Sequence, residues 1–194
     1  MGQRQRQGGS VGLDGRVVIR LAAALWALLA VPSMAGESME HISRDTVATW
    51  SFLSDQVMGG VSEGGARYGE KGGTGFLRLT GEVSTQNRGG FLQMRRDVAV
   101  PPAAQGIRLK VRGNGRRYYV HLRMTGLKMP WQFYQAGFDT TPDWREVRLP
   151  FSDFQPKGGF QRAALRPDTV KSLGIAAYGE AFHADISVAE VGFY

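Results

Sequence analysis

From about residue 45 onward the chain alternates apolar and polar positions in short runs, and the period is two. Ile107, Leu109 and Val111 alternate with Arg108, Lys110 and Arg112, which predicts a half-buried strand with one basic face. Tyr118, Val120, Leu122 and Met124 alternate in the same way with Arg117, Tyr119, His121 and Arg123. Gly113-Asn114-Gly115 between the two runs has the composition of a hairpin turn. Val147 and Leu149 form a further set that Pro150 stops, because proline cannot donate to a ladder. Leu173, Ile175 and Ala177, then Phe182, Ala184, Ile186 and Val188, extend the pattern towards Tyr194. No stretch beyond Pro32 keeps apolar residues at a helical spacing of roughly 3.6 for three turns. Residues 163–170 allow one short helical turn, limited by Pro167. Short strands separated by turns, with almost no helix, predict an all-β chain built as a β-sandwich.

Composition refines this picture at two places. The 194 residues suffice for one domain with a real core, and 27 glycines are roughly twice the usual share of about 7%, as suits many tight turns. The N-terminus differs in character. Arg4, Arg6, Arg16 and Arg20 precede and flank an apolar run, residues 21–31, that Pro32 ends, and Ser33-Met34-Ala35 puts small residues where a signal peptidase reads. Residues 1–35 therefore read as a signal peptide cleaved after Ala35, and the mature protein as periplasmic or secreted. The apolar run is well short of the roughly 20 residues a spanning helix needs. Residues 36–44 read as a polar, flexible lead-in, and 45–194 as a single domain without linker or repeat. The signal holds four Arg and one Asp, so its removal lowers the formal charge from +7 to +4, a solubility feature and not a nucleic-acid signature. Cysteine is absent, which excludes disulfides, thiolate metal sites and a Cys nucleophile.

Several groups of residues carry candidate chemistry. Gly60-Val61-Ser62-Glu63-Gly64 matches G-x-S-x-G by letters, but Gly65, Gly69, Gly72, Gly73 and Gly75 cannot make the helix that motif needs, so Ser62 reads as a turn hydroxyl. His41, His121 and His183 are scattered, no metal site or cofactor is expected, and His121, on the polar face of its strand, reads as solvated or satisfied. Asp55, before the Met58-Gly59-Gly60 turn, either caps backbone N–H groups or meets a ligand or partner. Gly59-Gly60 and Gly89-Gly90 permit positive φ or close backbone approach, and Asn87-Arg88 presents polar groups on a loop. Arg112, Arg116, Arg117, Tyr118 and Tyr119, with Arg95-Arg96 elsewhere, either clamp anions and stack on rings or form a solvated basic face. Trp131 and Phe133 cannot be buried on the same side as Tyr134 and Phe138, so one aromatic set should lie at a groove. There Gln132 and Gln135 could bond sugar hydroxyls or a protein partner.

The order and spacing of Trp50, Asp55-x-x-Met58-Gly59-Gly60-x-Ser62, Gly89-Gly90-Phe91, Arg112-Gly113-x-Gly115, residues 134–138, Trp144 and Leu149-Pro150-Phe151 resemble the complex I intermediate-associated protein 30 family. The resemblance spans residues 49–194. It implies a jelly-roll of the galactose-binding type, and a non-catalytic domain that binds an assembly intermediate of respiratory NADH:ubiquinone oxidoreductase. The expected function is thus a non-catalytic binding module that recognises a protein partner through a loop-rich edge. The alternative is a carbohydrate-binding module of the cell envelope, and a third reading is a glycoside-active enzyme using carboxylates such as Asp55 and Asp153. The binding candidates are Asp55, Met58, Gly59, Gly60, Ser62, Asn87, Arg112, Tyr118, Trp131, Gln132 and Tyr134. No catalytic residue is expected.

Overall fold

The computed structural model describes residues 38–159 and 164–194, so the expected signal segment, residues 1–35, lies outside the described residues. The strands are β1 (Ser38–His41), β2 (Ser51–Ser54), β3 (Glu63–Lys71), β4 (Thr74–Val83), β5 (Phe91–Asp97) and β6 (Gly106–Gly113). They continue with β7 (Arg117–Met124), β8 (Phe133–Asp139), β9 (Arg145–Pro150), β10 (Gln155–Lys157), β11 (Val170–Tyr178) and β12 (Phe182–Phe193). Helical structure among the described residues is confined to single 3₁₀ turns, including Pro167–Thr169 where one short turn is expected.

The strands form two antiparallel sheets, a jelly-roll sandwich. Sheet A has the order β3-β4-β12-β6-β9, with β1 also on β12, and sheet B the order β10-β8-β7-β11-β5-β2. Each sheet turns one alternating set inward. Ile107, Leu109 and Val111 with Ile186 and Val188 come from sheet A, and Tyr118, Val120 and Leu122 with Leu173 and Ile175 from sheet B; all are fully buried. Removal of that apolar surface from water at about 25 cal/mol per Å² holds the layers together.

Two sequence expectations need correction. Gly113-Asn114-Gly115 is not a hairpin turn: β6 pairs with β12 and β9, while β7 pairs with β8 and β11. The turn carries the chain from one sheet to the other, and turn composition alone does not distinguish these two uses. The lead-in also contains structure, because Ser38–His41 pairs with β12 and Ile42 is buried against the core. Four residues of weak alternation leave no usable signal for that strand.

The corner is held by hydrogen bonds. The Tyr118 hydroxyl donates to Asn114 Oδ1 (2.8 Å) and accepts from the Asp185 backbone N–H (2.8 Å), while Asn114 Nδ2 donates to the His183 carbonyl (2.8 Å). Burial drives the Tyr118 pKa up to about 12, so the hydroxyl remains a donor at any physiological pH. Tyr118→Phe keeps the packing but strands both partners, and it is expected to cost about 1–2 kcal/mol in urea denaturation. A variant as stable as wild type would show that water replaces these bonds.

Candidate functional site

The site is organised by a buried carboxylate. Asp55 opens the 3₁₀ turn Asp55–Met58 and is fully buried. Its Oδ1 accepts from the Ser62 N–H (2.9 Å), and its Oδ2 from the Ser62 hydroxyl (2.5 Å) and the N–H groups of Gly90 (2.6 Å) and Phe91 (3.2 Å). Burial pushes the Asp55 pKa up, but the bonds from Ser62, Gly90 and Phe91 outweigh it, and the carboxyl titrates below the usual aspartate value of 3.8. The glycines flanking this carboxylate are required by space: a Cβ at Gly60 would overlap the Asp55 side chain, and one at Gly89 would lie 2.5 Å from Oδ2. One acid therefore ties the turn after β2 to the start of β5.

The outer face of sheet B carries a cleft of about 490 Å³. Val57 and Met58, with Arg88, Gly89 and Gly90, line it on the β2 side; Pro130, Trp131, Lys157 and Gly158 line it on the β8 and β10 side. The floor is made by the outward residues of β5, β11, β7 and β8, among them Phe91, Gln93, Arg95, Gly174, Tyr178, His121, Arg123 and Phe133. Gln93 lies across Gly174, where a Cβ would come within 2.6 Å of its Cδ, and its amide nitrogen reaches Nδ1 of His121 (3.0 Å). With Gln93 donating to Nδ1, the imidazole hydrogen sits on Nε2, which is buried with no partner among the described residues. The ring stacks on Phe133 (4.1 Å between centroids) and meets Tyr178 edge-on (5.1 Å).

Of the two readings of His121, solvated or satisfied, the structure supports the second at Nδ1, which Gln93 bonds, because the cleft walls cover this outer face. Burial pushes its pKa from 6.5 down to about 3. The folded state keeps it neutral while the unfolded chain protonates it, so stability should fall as the pH drops from 6.5 towards 3. His121→Phe should flatten that part of the stability–pH curve in chemical denaturation; an unchanged slope would refute the assignment.

A larger depression, about 630 Å³, lies on the outer face of sheet A over Gly64, Gly65, Arg67 and Gly69. Two of its charged groups are engaged already, Arg78 with Asp185 (2.7 Å) and His183 with Glu82 (2.5 Å). The sheet B cleft carries more cationic chemistry, with Arg88, Arg95, Arg123 and Lys157 in its lining.

The candidate residues are divided by this architecture. Met58 and Trp131 face each other across the cleft lining and are 48% and 47% exposed. Asn87, exposed with a positive φ of 55°, stands beside the cleft residue Arg88, while Gly59 is the left-handed residue ending the Asp55–Met58 turn. Asp55, Gly60 and Ser62 build the wall from within. Gln132 is engaged locally, its Oε1 accepting from the Met129 N–H (3.3 Å). Three candidates are corrected. Tyr118 and Tyr134 are fully buried, on the inward faces of β7 and β8. Arg112 sits on sheet A with its guanidinium over Phe76 (5.1 Å) and Trp144 (4.8 Å), so the expected Arg–Tyr cluster is split between sheets. The residues missed from sequence are Phe91, Gln93, Tyr178, Gly174 and Lys157. For Phe91, Gln93, Gly174 and Tyr178 the available signal is an outward position on the apolar strands β5 and β11; Lys157, on the short edge strand β10, gives none.

A match to the family described as Complex I intermediate-associated protein 30 covers residues 39–186. The chain belongs to that family. No curated protein sequence matches it. The fold of this complex I intermediate-associated protein 30 domain is similar to that of the family 11 carbohydrate-binding module of the cellulosomal cellulase Lic26A-Cel5E of Clostridium thermocellum, at TM-score 0.64 and 13% identity, covering 82% of this chain and 94% of that one. A structure of a family 11 module from the same organism, in complex with a β-1,3-1,4-mixed-linked tetrasaccharide, aligns at TM-score 0.61 and 13% identity, over 81% and 96% of the chains. An exo-β-agarase aligns at TM-score 0.51 and 7% identity, covering 82% of this chain and 25% of the enzyme. At such identities the likeness is one of fold. It establishes the jelly-roll, and family membership supports an assembly-factor-like binding domain.

Proposed function

We propose that this complex I intermediate-associated protein 30 domain is a non-catalytic module that holds a protein partner in the sheet B cleft, in the manner of a respiratory complex assembly factor. The observation that carries this reading is the pair of exposed apolar rims, Val57 and Met58 opposite Trp131, across a cleft whose wall is fixed by a buried carboxylate. Exposed apolar groups around a preformed concavity are what a protein interface uses. A glycosidase would need two carboxylates at the site. No Asp or Glu lines the cleft among the described residues, and the carboxylate of Asp55 is already engaged by Ser62, Gly90 and Phe91. The partner is met outside the cytoplasm if residues 1–35 act as an export signal; recovery of tagged protein only from the cytoplasmic fraction would refute that part.

A second reading, a glycan site, is favoured by one observation, the open ring of Trp131 at the rim. In-cell photo-crosslinking separates the two. A photoreactive residue at Met58 or Trp131 should yield adducts that mass spectrometry identifies as subunits or intermediates of a respiratory complex, while one at Arg145 on sheet A should not. Adducts with polysaccharide alone would favour the glycan site, and no cleft-dependent adduct would sink the protein-binding reading.

A further inference from the structure

The cleft has a charge pattern that specifies more than a partner's presence. Four cations line it, Arg88, Arg95, Arg123 and Lys157, and no carboxylate does. Several arginines elsewhere are paired with carboxylates, Arg78 with Asp185, Arg108 with Glu146, Arg116 with Glu180 and Arg117 with Asp139. None of the four cleft cations has a carboxylate at ion-pair distance among the described residues. Arg123 is half-buried, its Nη2 donates to the Met129 carbonyl (3.3 Å), and its Nε is buried without a partner. Burial, and then the charge of Arg95, lower the Arg123 pKa, so two guanidiniums on the floor repel each other. Half-buried cations set near one another without counter-charge, as Arg95 and Arg123 are, carry a cost that an entering anion relieves.

We infer that the cleft takes an acidic, extended peptide segment of the partner, its carboxylates on Arg88, Arg95, Arg123 and Lys157 and its apolar side chains against Met58 and Trp131. This rests on the protein-binding reading above and adds the chemistry of what is bound. A sugar fits these groups less well. Its hydroxyls need acceptors as well as donors, and the side-chain acceptors in the lining are few, the Gln93 amide oxygen and the Ser172 hydroxyl, against four cations. Ring faces are also scarce: His121, Phe133 and Tyr178 pack on one another, with Phe133 and Tyr178 5.9 Å apart and edge-on, so Trp131 is the exposed ring. A peptide instead meets both features of the cleft, apolar rims and a cationic floor.

The test uses the purified full chain and fluorescence anisotropy. The probes are a labelled peptide alternating Glu with Val and Phe, the same peptide with Gln for Glu, and an oligogalacturonate as a carboxylated sugar. The acidic peptide should bind at least about tenfold more tightly than its Gln counterpart and weaken with added salt. Arg95→Gln with Arg123→Gln should remove that preference. The double variant Arg88→Glu, Lys157→Glu should do the same at two exposed positions that cannot disturb the core, and Arg145→Glu on sheet A should leave binding unchanged. Equal binding of the two peptides, or no binding of either, overturns the inference. Binding of the oligogalacturonate but not the acidic peptide overturns it in favour of an acidic glycan. If Met58 crosslinks still capture a protein while the charge variants change nothing, the protein-binding reading survives and this inference alone fails.

Discussion

Replacement of Asp55 by alanine is expected to lower the unfolding free energy by about 3–5 kcal/mol. Two buried N–H groups, those of Ser62 and Gly90, and the part-buried one of Phe91 lose their acceptor together, and each stranded buried donor costs about 1–3 kcal/mol. Urea denaturation of the variant checks this. A fully stable Asp55→Ala protein that no longer captures its partner would instead make the carboxylate part of the recognition surface. The same group has a pH signature. Because its folded pKa lies below the ordinary aspartate value of 3.8, its contribution is complete above that value and is lost as the pH falls through the folded pKa. That window is more acidic than the onset of the His121 effect, which begins near 6.5, so the two can be separated along one titration.

Trp131→Ala should have the opposite profile, with binding lost and stability kept. The side chain is 47% exposed and offers a partner an aromatic face, and tryptophan is among the residue types that dominate interfaces. Its truncation should cost about 2 kcal/mol of partner binding, roughly 30-fold in Kd, with an unchanged thermal midpoint. The partner identified by crosslinking supplies the ligand for that titration. If affinity is retained, the partner contacts lie off this rim and the cleft assignment is wrong.

How much of the fold and the cleft is legible in the sequence depends on the range of the interaction. Ile107–Val111 and Tyr118–Met124 declare their strands because period-two alternation is local and each run buries one face. The connection after Gly113 reads wrongly as a hairpin because a Gly-Asn-Gly turn looks the same whether it joins neighbours in one sheet or the two layers of a sandwich. Asp55 is legible as a turn acid, but its full set of donors is not. Ser62 lies seven residues away and Gly90 thirty-five, and pairing of β2 with β5 brings them together. The cleft is the least legible part. Gln93, His121 and Gly174 come from β5, β7 and β11, and their juxtaposition follows only from the strand order of sheet B. The sequence points to Tyr134 where Phe133 serves, because alternation separates the two rings without saying which faces the core.

The position of β12 bears on how the protein comes to be folded at all. It lies inside sheet A, with β4 and β1 along one edge and β6 along the other, so the sheet has no middle until residues 182–193 are present. A chain emerging from the ribosome can pair β3 with β4 but has nothing to set between β4 and β6. Completion of the sandwich therefore waits for residues 182–193, and it closes contacts of very long sequence separation on a timescale of about milliseconds to seconds. During that interval the nascent chain stays open to chaperones, and to any machinery that handles only unfolded polypeptide.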